Sequence, residues 1–378
     1  MKLALLILYF GVMVGIGLYC RKHTSGINGF VLAGRSVGPW LTAFAYGTSY
    51  FSAVVFVGYA GQFGWKYGIA ATWAGIGNAL LGSLLAWVVL GRRTRIMSQH
   101  LDSATMPEFF GKRFGSPSLK VAASVIIFIF LIPYTASLYN GLSRLFGMAF
   151  DIDYTVCVIV MAVLTGVYVI AGGYMATAIN DFIQGIIMVF GSVAIFAATA
   201  HAAFGGLSPD LLSQLNAALG SIDPNLHDIT GGGKMSWSNL FIILAITMLV
   251  GIAMPQQSVA IFSMRDVRTA RVAMIVCVVF SAILAWSLAL TGMMSHMVLD
   301  PADVKNPDLV IPLLIPRVLS PLLGGIYLAA VLAAIMSTVS GSIVVAASSL
   351  TEDIFKLAIP ERYNRSPMFY NRVGSTIF

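Results

Sequence analysis

The side chains with most to do chemically in this sequence are hydroxyls and amides set inside apolar runs. The stretch Ala333-Ala334-Ile335-Met336-Ser337-Thr338-Val339-Ser340-Gly341-Ser342 places two adjacent hydroxyls, Ser337 and Thr338, one helical turn beyond the Ala334 carbonyl. A hard cation takes oxygen ligands, and these three share nearby helix surface. Alternatively, the hydroxyls bond back to carbonyls of their own helix. The stretch Ala45-Tyr46-Gly47-Thr48-Ser49-Tyr50-Phe51-Ser52 gathers glycine and small hydroxyl residues in the middle of another apolar run. Such a run can break a helix and free carbonyls for a cation, or can serve close helix packing. In Val250-Gly251-Ile252-Ala253-Met254-Pro255-Gln256-Gln257-Ser258 two amides and a hydroxyl follow a proline, which removes a backbone donor and disrupts the helix. Here the alternative is a tolerated kink with the glutamines near a membrane surface. Asp181 opens the apolar run 180–203; it can neutralise a cation or a proton, or cap the helix N-terminus. The sequence contains no GxSxG, HExxH or phosphate-loop motif, so it offers no catalytic constellation, and uphill transport would draw on an ion gradient.

Long apolar helices must position these groups. The 378 residues are 58% hydrophobic and 10% charged, with a mean hydropathy of +0.88, where a soluble domain carries about 25% charge. Most of the surface therefore faces lipid. Nine spans are expected, at roughly 2–20, 38–63, 71–91, 120–147, 154–171, 180–203, 238–262, 272–297 and 322–348, since about 20 apolar residues cross a bilayer core as a helix. One set of alternating loops carries Arg21, Lys22, Arg35, Arg92, Arg93, Arg95, Lys112, Arg113, Lys120, Arg265, Arg268, Arg271, Lys356, Arg362, Arg365 and Arg372. The other carries only Lys2, Lys66, Arg144, Lys234, Lys305 and Arg317. The first set is then cytoplasmic and the N-terminus outside, in a multi-pass protein of the cell (plasma) membrane. Because the +7 net charge is spread over short loops, nucleic acid is not a partner. Cys20, Cys157 and Cys277 lie in or beside apolar runs without a CxxC pair, and the five histidines lack metal-ligand spacing, so no disulfide framework or metal site beyond a sodium site is expected. The outer loop 204–237 is expected to carry a short amphipathic helix at Pro209–Leu219. The last residues, Thr376-Ile377-Phe378, read like the start of another span, which points to a longer parent protein.

Taken together, these stretches resemble the solute:sodium symporter family along nearly the whole chain. Phe30 to Trp40 looks like the family's opening motif; Gly172-Gly173-Tyr174 followed by Asn180 to Gly185 is similar to its signature; Ala333 to Thr338 running into Ser348-Ser349-Leu350-Thr351-Glu352-Asp353 is the most specific piece. The resemblance implies an all-α polytopic membrane protein with a leucine-transporter-type inverted-repeat fold and one extra N-terminal helix. It would form a single transporter domain over 1–378, with a first repeat at about 38–203 and a partial second at about 238–378. It also implies sodium-coupled symport of a small organic solute by alternating access. Carried over by position, sodium would be held by the carbonyls of Thr48, Phe51 and Ala334 and the hydroxyls of Ser337 and Thr338. Asp181 with Ser340 matches a second cation site of some members, although Gly341 stands where those members have another hydroxyl. Solute would lie between Ser49, Tyr50, Ser52, Tyr134, Pro255 and Gln256. Tyr50 replaces an acid of the family's proline carriers, and Asn306 to Pro312 looks closer to the pantothenate branch, so pantothenate or another small carboxylate is the expected solute. The alternatives are a proline or other amino-acid symporter, a symporter-like sensory module regulating an attached signalling domain, and a passive channel.

Overall fold

The computed structural model describes residues 2–22, 24, 26–51, 56, 61–150 and 153–378. Among them the chain is built from helices: α1 (Lys2–Arg21), α2 (Gly26–Leu32), α3 (Pro39–Tyr50), α4 (Gly61–His100), α5 (Met106–Phe114), α6 (Pro117–Phe150), α7 (Tyr154–Phe204), α8 (Leu211–Ile222), α9 (Trp237–Ala253), α10 (Pro255–Phe262), α11 (Val267–Met294), α12 (Val310–Val318), α13 (Pro321–Ser348), α14 (Pro360–Arg365) and α15 (Pro367–Ile377). Small polar residues start several of them. Asp153 accepts from Thr155 N at 2.8 Å, Asp266 from Thr269 N at 2.8 Å, and Ser320 from Leu323 N at 3.4 Å, each satisfying a first-turn donor.

Among the described residues five helices are long and apolar enough to cross a membrane, or six if the pair α9 and α10, bent by 45°, is one span. Of the nine expected spans, 154–171 and 180–203 run on as one helix, 2–20 corresponds to the shorter apolar helix Ile7–Arg21, and 38–63 lies partly outside the described residues. α7 has 51 residues, which as a straight helix of about 1.5 Å rise would be more than twice the roughly 30 Å bilayer core. It is not straight, because Gly173 adopts φ 60° and ψ −153°, a conformation open essentially to glycine alone. α1 records the reversal. Gly17 abuts Tyr168 and Cys20 abuts Gly172, whereas Asn180 donates to Met13 O and Gln184 to the Tyr9 hydroxyl. The direction along α1 therefore inverts at Gly173, and the boundary expected between 171 and 180 falls there. Gly68 (φ 53°, ψ −129°) makes a comparable turn within α4; a Cβ on it would strike Leu226 O at 2.0 Å.

α13 is the axis of the molecule. From Tyr327 to Ser348 every residue is buried, as expected of a helix apolar on all sides. α7, α6, α3 and α15 surround it. The expected amphipathic helix in the outer loop is α8, which buries Leu211, Leu215 and Leu219 on one face.

A Cβ at position 173 would stand 2.6 Å from Phe30 O, a backbone atom that cannot rotate away. Gly173→Ala is therefore expected to destabilise the detergent-solubilised protein by about 1–3 kcal/mol, read as a lowered midpoint in thermal unfolding. Gly11→Ala, with nothing within 4 Å of the new methyl, is expected to leave the midpoint unchanged or slightly raised.

Candidate functional site between α3, α7, α10 and α13

The polar run that begins at Ala45 does break its helix. α3 stops at Tyr50, and Phe51, fully buried, leaves helical geometry at φ −93°, ψ 89°. The last carbonyls of α3 then have no helix of their own to serve. One of them, Thr48 O, accepts from Ser337 Oγ of α13 at 3.2 Å. The same hydroxyl lies 3.2 Å from Ala334 O, and Thr338 Oγ1 donates to that carbonyl at 3.0 Å. The back-bonding alternative is thus present, but within a cluster that also recruits a second helix. Two carbonyls and two hydroxyls, all on residues with no exposure, form a neutral oxygen set suited to a hard cation of single charge. Gly185 of α7 lets that helix approach, since a Cβ there would meet Thr48 Cγ2 at 3.0 Å. Ser52 lies outside the described residues.

Asp181 does not open a helix at the membrane edge as expected. Helix resumes directly after Gly173, so Asp181 lies eight residues inside it, 1% exposed. Neither carboxylate oxygen has a hydrogen-bond partner among the described residues, and the same holds for Asn180 Oδ1 and Gln184 Oε1. Tyr168 OH donates to Met336 O of α13 at 3.4 Å, and Ser340 Oγ, one turn on, donates to Ser337 O. A lone buried carboxylate without donors is a strong attractor for a cation or a proton.

The proline break is as expected, with Met254 extended (φ −67°, ψ 126°) between α9 and α10. Pro255 has no N–H for Gly251 O, and other residues compensate. Tyr46 OH donates to Gly251 O at 2.8 Å, and Gln257, with its amide turned so that the nitrogen faces these carbonyls, donates to Gly251 O at 2.8 Å and Val250 O at 3.2 Å. Both residues stand in the polar runs noted in the sequence, but their role as substitute donors was not anticipated there, although a proline removes the donor for the carbonyl four positions before it. Gln256 and Ser49 meet across Gly341, each 3.4 Å from where a Cβ would stand. Tyr50 reaches Thr247 O at 3.4 Å and crowds Gly82. Tyr134 is half-buried on α6 against the hydrophobic core, and no hydrogen bond among the described residues joins it to Ser49 or Gln256.

A second group of residues, also missed as functional, closes one end of the bundle. Ala33, Gly34 and Arg35 all have left-handed φ (50°, 63° and 54°), a strained turn for the two non-glycine residues. It aims the Arg35 guanidinium at Ser98 O (3.3 Å), Ser103 O (2.9 Å) and Phe262 O (3.1 Å). Arg95 Nε donates to Met264 O at 2.7 Å, so two cations hold the carbonyls at the C-terminal end of α10. Beside them Asp353, beyond the end of α13 and fully buried, pairs with Lys120 Nζ at 3.2 Å and accepts from Thr105 Oγ1 at 2.8 Å. Thr105 also caps α5 by accepting from Glu108 N at 3.1 Å, while Glu108 accepts from Ala104 N at 2.8 Å, a reciprocal cap. These contacts hold the Glu108 carboxyl below its ordinary value. Burial, the largest influence, acts the other way and is outweighed by the Ala104 N–H and Lys112.

A model of the sodium:solute symporter family matches residues 30–376. The chain belongs to that family. It is similar to the osmoregulated proline transporter OpuE of Bacillus subtilis (30% identical over 355 residues, 92% of this chain and 70% of that one) and to the sodium/proline symporter of Staphylococcus aureus (30% over 358 residues, 92% and 67%). The substrate-bound outward-open state of a Na+-coupled sialic acid symporter has the same fold, with a TM-score of 0.85 at 18% identity, covering all of this chain and 78% of that one. The family member described here is a multi-pass membrane transporter, not an enzyme, and its partners are sodium and a small solute.

Breaking a buried ion pair on one side strands the other charge, at about 3–5 kcal/mol. Lys120→Met is expected to destabilise by that order, discounted because Lys120 is 15% exposed and Asp353 is not exposed. Lys120→Met/Asp353→Asn is expected to lose less than the sum of the single variants, as measured by thermal unfolding in detergent.

Proposed function

We propose that this symporter imports a small organic solute driven by sodium entry. Sodium is bound by the carbonyls of Thr48, Phe51 and Ala334 and the hydroxyls of Ser337 and Thr338. The solute lies against Ser49, Tyr50, Ser52 and Gln256, with Pro255 opening the helix beside it and Tyr134 at its border. One observation carries the reading: the Ser337 hydroxyl, 3.2 Å from Thr48 O, joins a broken helix to the buried axis through oxygens alone. Asp181 with Ser340 forms a second cation site, supported by the two unpartnered oxygens of that carboxylate. The gap at Gly341 does not weaken this assignment, because Gly341 faces Ser49 and Gln256.

We consider two solutes for this site. The motif likeness favours pantothenate or another small carboxylate; the names of the relatives favour proline. Uptake into proteoliposomes of proline, pantothenate, acetate, pyruvate, sialic acid and glucose, with and without an inward sodium gradient, separates them. Ser337→Ala/Thr338→Ala is expected to lower sodium-driven uptake of the carried solute at least about tenfold, equivalent to roughly 1.4 kcal/mol. Uptake indifferent to sodium, or undiminished in the double variant, would sink the ion-site assignment.

The N-terminus lies outside. Arg35, Arg95, Lys112 and Lys120 cluster at one end of the bundle with Asp102, Glu108 and Asp353, as cytoplasmic basic loops would. An impermeant maleimide should then label Asp210→Cys but not Arg93→Cys in intact cells; the reverse pattern overturns the orientation. The second-span and seventh-span breaks occupy corresponding places in two inverted repeats, 38–203 and 238–378. Inverting and superposing the two segments must bring α3 onto α9 and α10, or the repeat reading fails.

A further inference from the structure

Gln256 stands one position beyond the proline break and is 4% exposed. A hydrogen-bond chain fixes which way its amide faces. The Ser342 hydroxyl donates to Thr338 O at 2.8 Å, which uses its single hydrogen. Whatever approaches the Ser342 oxygen must then be a donor, and Gln256 Nε2 takes that place at 3.0 Å. Gln256 Oε1 is left buried, without a hydrogen-bond partner among the described residues. A buried carbonyl oxygen is costly unless a donor reaches it. Gly341 faces this side chain: a Cβ there would lie 3.4 Å from Gln256 Cγ and from Ser49 Oγ.

We infer that Gln256 presents a fixed hydrogen-bond acceptor to the solute, and that Ser342 is the positioning residue that fixes it. The carried solute therefore bears an N–H or O–H donor at this point: an ammonium, amide or hydroxyl group. Solutes whose polar groups are all acceptors, such as simple carboxylates and keto acids at neutral pH, meet lone pair against lone pair and are rejected. This rests on the placement of solute proposed above. The chain begins at Thr338, whose hydroxyl belongs to the cation cluster, so the turn of α13 that holds the ion also sets the polarity of the solute site.

The test uses proteoliposomes holding the full chain, with L-proline and pantothenate as donor-bearing probes and acetate and pyruvate as acceptor-only probes. In the wild type, sodium-driven uptake should favour a donor-bearing probe over both acceptor-only probes by at least about tenfold in kcat/KM. Ser342→Ala should raise KM for the carried probe about tenfold while changing the maximal rate less than about threefold, because the freed amide no longer holds its oxygen toward the solute. Ser342→Thr, which keeps the hydroxyl, should restore KM. Preference for acetate or pyruvate, an unchanged KM in Ser342→Ala, or equal damage in Ser342→Ala and Ser342→Thr would each overturn the inference while leaving sodium-coupled transport intact. A wild type that carries none of the six solutes of the uptake panel above would contradict the proposed solute site and this inference together.

Discussion

Inside a bilayer a backbone carbonyl has no water to bond, so each one released by a broken helix must find a donor or a cation. The architecture of this transporter is arranged around that constraint. α3 ends at Tyr50 and offers Thr48 O to Ser337. The α9–α10 break leaves Gly251 O to Tyr46 and Gln257. The first carbonyl is met by the Ser337 hydroxyl; the second is met by the Tyr46 hydroxyl and the Gln257 amide. On the proposed reading the first break is the binding position and the second a structural one, though both begin as interrupted helices.

The rest of the molecule supports the two breaks. α13 has to be buried on all sides so that its hydroxyls meet carbonyls rather than lipid, and α7 must come close enough to deliver Asp181. Gly185 and the reversal at Gly173 permit that approach. At the other end of α10, Arg35 and Arg95 bind its terminal carbonyls, while Lys120 and Asp353 tie α6 to the end of α13. Arginine–carbonyl bonds of this kind can exchange, since each guanidinium has several donors that water can take over.

Much of this was legible in the sequence because membrane burial exaggerates its signals. The oxygen cluster announced itself as Ser337-Thr338 in an apolar run, and the second break as Pro255. The end of α3 was foreshadowed by Gly47-Thr48-Ser49. Other features were hidden for physical reasons. Asp181 read as a helix start because composition does not reveal that Gly173 alone makes the turn and that helix resumes at once. Tyr46 and Gln257 became important only through the carbonyl that Pro255 orphans, a contact across 205 residues for Tyr46. The Arg35 clamp depends on three successive left-handed residues, which Ala33 and Arg35 gave no reason to expect.

The central claim is that the oxygens joining α3 to α13 hold sodium. Equilibrium binding of radioactive sodium to purified protein, wild type against Thr338→Val, tests it most directly, since valine keeps the shape and removes only the hydroxyl. The account predicts saturable sodium binding in the wild type that weakens at least about tenfold in the variant, equivalent to roughly 1.4 kcal/mol. Equal sodium affinity in the two proteins would contradict it.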